Sequence, residues 1–393
     1  MKGQFRSAFA GYLGVDLDKV HLFWKGRVAL YAILKALGVG PQDEVIIPAF
    51  TCVVVVNPIM YLGAKPVYVD IDPLTYNMDV DKIENKITPK TRVIVAQNTF
   101  GLSPDMDKIK EIATTYGLMV VEDCAHGLGG YYKGRKNGTL ADASFFSTQW
   151  NKPFSTGLGG IAYSQNIRIS QILREFEEEW AKPTVGEELS LRLLLWIRKH
   201  LLRGRVYWTA LKTYRWLSDK DLILGSSQGH ELKEPFMPKD FLKVLSDTQA
   251  REGIRGIREL DALIEYRRKV AFEYNDLLRE LGISPPFVPD EVFHTYLKYP
   301  VLVRDKRQFL RAAVREGVPL GDWFASPLHP IEEELELWGY RWGENPVAEK
   351  ISRHIVNLPT DNYLGKNQVE CVREFLKRNR RNLFDNVEEC LRS

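Results

Sequence analysis

The run Asp142-Ala143-Ser144-Phe145-Phe146-Ser147-Thr148-Gln149-Trp150-Asn151-Lys152 places a serine five residues before a lysine, and the glycine-rich turn Thr156-Gly157-Leu158-Gly159-Gly160 follows. A lysine amine condenses with carbonyl groups, a hydroxyl and backbone amides hold phosphate, and glycines let a backbone pass close to a ligand. Together these are the parts needed to hold a phosphorylated aldehyde, pyridoxal 5'-phosphate. A lysine alone is a weak indication, since most are solvated surface charges. Asp123 and His126, at the end of the apolar run 118–123, strengthen it.

Such a cofactor works as an electron sink when its pyridine nitrogen is protonated, and a carboxylate within hydrogen-bond reach favours that charged form. Asp123 is the candidate; a strand-end aspartate capping the next helix is the competing reading. His126 could meet the ring face or its phenolic oxygen, or could be a satisfied structural histidine. Phosphate needs amides at a helix start. The run Leu22-Phe23-Trp24 ends in Lys25-Gly26-Arg27, and a helical pattern over 28–37 follows, so Gly26 and Arg27 could point their amides at an anion. An ordinary glycine turn is the alternative. Ser147 would add the hydroxyl, unless it is a buried strand serine bonded to backbone.

The elements that must position these residues are legible. Short β-branched runs at 44–48, 66–70, 92–96 and 118–123 alternate with helical patterns such as 28–37 and 106–116. Near-continuous apolarity predicts strands covered on both faces, hence an α/β fold with a mostly parallel central sheet flanked by helices. Ligands of such sheets gather beyond the strands' carboxyl ends. Residues 48–52, 98–101 and 123–126 occupy that rim. Residues 170–235 differ in character and read as an insertion or helical subdomain within a large domain spanning 1–240. A long amphipathic helix over 240–282 leads into a smaller C-terminal α+β domain within 241–393, with a strand-like run at 296–303 and helical patterns at 306–316 and 368–378.

Composition sets the outer limits. A chain of 393 residues with 45% hydrophobic and 27% charged residues fits a two-domain enzyme. A formal charge of +3 gives no footing for nucleic-acid binding. Four cysteines without a CxxC pair argue against a disulfide framework or a zinc site, so no metal is expected. The brief apolar stretch 8–15 is too glycine-broken for a signal peptide, and no run suggests a spanning helix. These features point to the cytoplasm.

The whole set resembles the DegT/StrS family of pyridoxal-phosphate-dependent sugar aminotransferases. Its carriers include Leu62-Gly63-Ala64-Lys65-Pro66-Val67 with Asp70-Ile71-Asp72-Pro73, Pro104-Asp105-Met106, Glu122-Asp123-Cys124-Ala125-His126, Ser246-Asp247-Thr248-Gln249-Ala250 and Leu358-Pro359-Thr360. The resemblance implies the type I fold of pyridoxal-phosphate transferases, a homodimer with sites at the subunit interface, and amino transfer to nucleotide-linked keto sugars with glutamate as usual donor. It implies that Lys152 binds the cofactor aldehyde and moves the proton, Asp123 pairs with the pyridine nitrogen and His126 lies against the ring. Ser147, Gly26 and Arg27 would hold the phosphate. The chain departs from the family pattern at Lys25 and Arg27, at Leu158, at Leu242 and Val244, and at Cys52, which stands where an aromatic commonly stacks on the cofactor. With Leu242 and Val244 in place of the family's usual polar pair, Arg27 would supply the phosphate contact instead. A sugar dehydratase of the same fold characteristically lacks the lysine, and a catalytically silent regulator would not need the full set.

Residues 190–217 contain Arg192, Arg198, Lys199, Arg203, Arg205, Lys212 and Arg215 and no acidic residue, interleaved with Trp196, Trp208 and Trp216. Such a segment could lie weakly on an anionic membrane surface. The blander expectation is a helical hairpin packed on the sheet, its arginines facing solvent or the substrate's phosphates.

Overall fold

The computed structural model describes residues 1–200, 229–361 and 367–393. Helix α1 (Lys2–Leu13) takes up most of the N-terminal apolar stretch and ends where Gly14 adopts φ 80°. Strand β1 (Val20–Phe23) leads into α2 (Gly26–Ala36), whose residues 26–34 are all buried. Then come β2 (Glu44–Pro48), β3 (Thr51–Cys52), α3 (Val53–Tyr61), β4 (Lys65–Val69), β5 (Thr91–Gln97), α4 (Met106–Tyr116) and β6 (Met119–Asp123). The short β7 (Tyr131–Tyr132) and β8 (Arg135–Lys136) precede β9 (Ala143–Ser147), β10 (Gly160–Ser164), α5 (Ile167–Glu179) and α6 (Val185–His200).

Seven strands form one sheet in the order β1-β10-β9-β6-β5-β2-β4. The pairs from β9 through β4 are parallel, and β10 pairs antiparallel with both β9 and β1. The sheet is therefore mostly parallel, as the apolar runs require. Helices α2 and α3 cover one face through Val28, Leu30, Val53 and Ile59, packed with Val45, Ile47 and Val95. Helix α4 covers the other through Ile109 and Ala113, against Ile46, Ile94 and Val120. Helix α5 covers β1 and β10 with Ile169 and Leu173, so residues 170–179 are part of the sheet's cover. Helix α6 buries only Leu191, in a small cluster with Trp24 and Leu158. Residues 201–217 of the basic segment, including Arg203, Arg205, Trp208, Lys212, Arg215 and Trp216, lie outside the described residues.

Helix α7 (Asp247–Glu280) opens on a reciprocal cap, with Ser246 and Gln249 each bonding the other's backbone amide. Beyond it lie β11 (Val292–Phe293), β12 (Tyr299–Leu302), α8 (Lys306–Glu316), β13 (Leu328–His329), α9 (Pro346–His354), β14 (Ile355–Leu358), α10 (Gln368–Arg378) and α11 (Val387–Arg392). Strands β12 and β14 pair antiparallel over a core of Tyr274, Phe309, Val372 and Phe375. One contact from this half matters for the site. Strand β13 pairs in parallel with β3, setting His329 opposite Cys52 at the carboxyl rim of the large sheet.

Candidate active site

The predicted site residues sit at strand ends, at a helix start or in the loops just beyond them on that rim. Asp123 is the last residue of β6, 3% exposed, and its Oδ1 accepts the Ala125 amide at 2.9 Å. The bond caps a turn and not the helix the sequence suggested, since no helix starts there, and it engages one carboxylate oxygen only. The other has no hydrogen-bond partner among the described residues, so the cap and a ligand contact are compatible. Burial raises the Asp123 carboxyl to about 6, against the opposing pull of the Ala125 amide and the Lys152 charge. The group is still ionised at neutral pH.

His126 follows in the same turn, 6% exposed, its ring parallel to Phe100 within 10° at 6.5 Å and 5.2 Å from Trp323. Its Nδ1 has no hydrogen-bond partner among the described residues. Burial first, then the Lys152 and Lys298 charges, hold its pKa well below the ordinary histidine value, so the ring is neutral. Lys152 lies in the loop after β9 with Nζ 4.8 Å from the Trp323 ring centre. Burial lowers its amine to about 8, with Cys52 and Asp123 pulling upward and the Lys298 and Arg27 charges adding to the fall. Lys298 reaches the same indole at 5.6 Å, and burial lowers its pKa too. Cys52, at the end of β3, has its thiol pushed up by burial.

Trp323 and Lys298 do not stand out in the sequence. Both come from the C-terminal half; the pairing of β13 with β3, the Trp323 amide's bond to Asn357 Oδ1 and the packing of Phe324 on Phe50 hold Trp323 at the rim, and no local spacing encodes that. Arg267 is another. This α7 residue is 2% exposed and donates to Asp361 Oδ1 at 2.7 Å and to the Pro153 carbonyl at 3.1 Å, tying the lysine loop to the C-terminal half.

The predicted phosphate cradle is a close approach of two backbones. Helix α2 begins at Gly26, two residues before the predicted start, with Lys25 extended ahead of it and no side-chain cap on its first amides. A Cβ built on Gly26 would lie 2.8 Å from Ser147 Cβ, and one on Gly160 would lie 2.1 Å from the Lys25 carbonyl oxygen. Only glycine fits at either place. Arg27 is buried beside this cradle and donates to Glu231 at 2.5 Å; Lys25 Nζ is 3.9 Å from the same carboxylate. Glu231 is fully buried and belongs to the stretch read as an insertion, and no local pattern pairs it with Arg27.

These residues fit pyridoxal phosphate. An uncapped helix start and a serine meet across a gap that admits no Cβ, a buried carboxylate keeps one oxygen open, and a lysine of lowered basicity lies near it. The DegT/DnrJ/EryC1/StrS aminotransferase family model matches residues 2–185 and 242–377. The chain belongs to this family. Members of the DegT/DnrJ/EryC1/StrS family use pyridoxal phosphate, and this chain is an aminotransferase of that kind. The match omits 186–241, the stretch holding α6 and Glu231. A GDP-perosamine synthase of Caulobacter vibrioides is 43% identical over 374 residues, covering 94% of this chain and 87% of that one. A UDP-2-acetamido-2-deoxy-3-oxo-D-glucuronate aminotransferase of Pseudomonas aeruginosa is 31% identical over 356 residues, covering 88% and 82%. The solved aminotransferase TlmJ of Streptoalloteichus hindustanus superposes with a TM-score of 0.75 at 25% identity, over 97% of this chain and 90% of that one.

Proposed function

We propose that this family member moves an amino group from glutamate to a nucleotide-linked keto sugar, in the making of amino sugars for cell-surface polysaccharides. The observation that carries the reading is Lys152: a half-buried amine lowered to about 8, beside the buried carboxylate of Asp123, on the rim where a phosphate cradle also opens. Two relatives named for amino sugars made on nucleotide carriers support the substrate class.

When bound, pyridoxal phosphate supplies the aldehyde that receives the amino group and the ring that spreads the developing negative charge. The chain's own residues do the rest. Lys152 would hold the cofactor's aldehyde, and its Nζ would take and return the migrating proton. A pKa near 8 leaves roughly one amine in ten neutral at pH 7, which suits a group that must be base and then acid. Asp123 would offer its open oxygen to the pyridine nitrogen and favour its protonated form. His126, neutral and stacked on Phe100, would lie against the cofactor ring without adding a second charge. Gly26 and Ser147 would bind the phosphate, with Arg27 held close by Glu231. Cys52 is smaller than the aromatic common at its place, and the Trp323 ring lies 4.8 Å from Lys152 Nζ. The protein acts as a homodimer.

The test is incubation of the protein with glutamate and a panel of 3-keto and 4-keto sugars on UDP, GDP and dTDP, read by mass spectrometry. Replacement of the keto oxygen by an amine in at least one of them is expected. No amination of any, with 2-oxoglutarate formed in the presence of simple keto acids instead, would sink the sugar assignment.

A further inference from the structure

Lys306 opens helix α8, directly after its capping residue Asp305. A cation there meets the positive end of the helix dipole, so nothing local favours a lysine at this position. The reason for it lies elsewhere in the fold. Lys306 is half-buried, and its Nζ donates to three main-chain carbonyls: Asp322 at 3.2 Å, Phe324 at 2.9 Å and Ser352 at 2.9 Å. An ammonium has three donors and no acceptor, so three carbonyls use all of its capacity. Burial lowers this amine to about 8, with the Asp322 and Glu332 charges pulling upward.

Two of the three carbonyls belong to the residues on either side of Trp323. The third lies in the last turn of α9, where a cation suits the negative end of the helix. The same short strap is also tied to β14. Asn357 exchanges main-chain bonds with Gly321 at 2.8 and 2.9 Å, and its Oδ1 accepts the Trp323 amide at 3.1 Å. What the strap carries is the ring on which both halves of the site converge. The Trp323 indole lies 4.8 Å from Lys152 Nζ and 5.6 Å from Lys298 Nζ, with the His126 ring at 5.2 Å and the His329 ring at 5.1 Å. An indole face attracts an ammonium only while the ring stands over it. A misplacement of about 1 Å beside reacting atoms can cost about a hundredfold in rate, so the hold on this ring matters.

We propose that Lys306 is a positioning residue for Lys152: its ammonium clasps the carbonyls flanking Trp323 and thereby fixes that indole across the reacting amine. This rests on the reading of Lys152 as the amine that handles the cofactor. The first test is crystallographic. In cofactor-loaded Lys306→Met, the Trp323 ring should stand about 1 Å or more from its place in the unaltered protein. An indole that keeps its place would overturn the proposal. The second test is kinetic, and follows the single-turnover conversion of the lysine-bound cofactor band by glutamate in Lys306→Met, Trp323→Ala and the double variant. Lys306→Met alone should slow conversion about tenfold, and should cost less than about twofold more once Trp323 is alanine. Equal slowing in both backgrounds would show that Lys306 acts otherwise than through Trp323, and an unslowed single variant would be as damaging. Thermal melting checks that each variant folds. Should Lys306→Met not fold, Lys306→Gln, which keeps two donors, goes through the same cycle under the same criteria. Failure of glutamate to convert the cofactor in the unaltered protein would sink the aminotransferase reading, while the crystallographic comparison would still decide what Lys306 holds in place.

Discussion

Lys152 carries an energetic cost that its proposed function explains. An amine lowered to about 8 gives up its proton more readily in the folded chain, while the unfolded chain keeps it protonated up to its ordinary value of 10.5. The sign follows from proton counting. Between about 8 and 10.5 the unfolded state binds more protons, so stability rises with pH across that window, and below 8 the penalty is present in full. Cofactor-free Lys152→Met is therefore expected to melt a few degrees above the unaltered protein at pH 7, the gap closing as pH rises from 8 toward 10.5. A variant that melts lower at pH 7 would show that the buried amine is not penalised. At this scale the sequence reveals the residues whose spacing is local: Ser147 with Lys152, Asp123 with His126, Gly26 at a helix start. It is silent on Trp323, Lys298 and Glu231, which reach the site across more than a hundred residues, and no short-range pattern records a fold-made contact of that kind.

Among the elements, α7 does most to hold the lysine loop. Its glycines are sockets: a Cβ on Gly253 would meet the Phe5 ring at 2.4 Å, and one on Gly256 the Phe154 ring at 2.3 Å. Phe154 is two residues from Lys152, so the loop is seated on the helix by a ring fitting where no side chain stands. Helix propensity alone would favour Gly256→Ala by up to about 1 kcal/mol. The displaced ring should reverse that sign, giving a net loss of about 1–2 kcal/mol in urea unfolding. A neutral or stabilised variant would mean that Phe154 moves aside freely. Elements with strong end signals are legible: α4 and α8 run over the predicted 106–116 and 306–316, each opened by an aspartate, Asp105 or Asp305, that accepts the amide three residues on. Helix α7 occupies 247–280 of the predicted 240–282 because Ser246 and Gln249 fix its start. The apolar stretch at 8–15 does not announce itself as the second half of a helix. Its face repeats at Phe5, Phe9 and Leu13, and glycines at 3 and 11 obscure it.

Across the whole molecule, two halves of the chain complete one rim. The large sheet supplies Asp123, Ser147 and Lys152, and the C-terminal half supplies Trp323, His329 and Lys298, joined by the β3–β13 pairing. The α/β class with its mostly parallel sheet is readable because buried strands are apolar throughout; the joining of the halves is not, because two-residue strands leave no pattern. Among the described residues no helix is long and apolar enough to cross a membrane. The central claim is that Lys152 is the amine through which this fold handles amino groups. The visible absorption spectrum of the protein with pyridoxal phosphate, before and after L-glutamate, tests it most directly. The unaltered protein should show the yellow band of lysine-bound cofactor and lose it to the pyridoxamine form on adding glutamate, while Lys152→Ala shows no such band and no catalytic turnover. A Lys152→Ala protein that forms the same band and converts it with glutamate at the same rate would contradict the account.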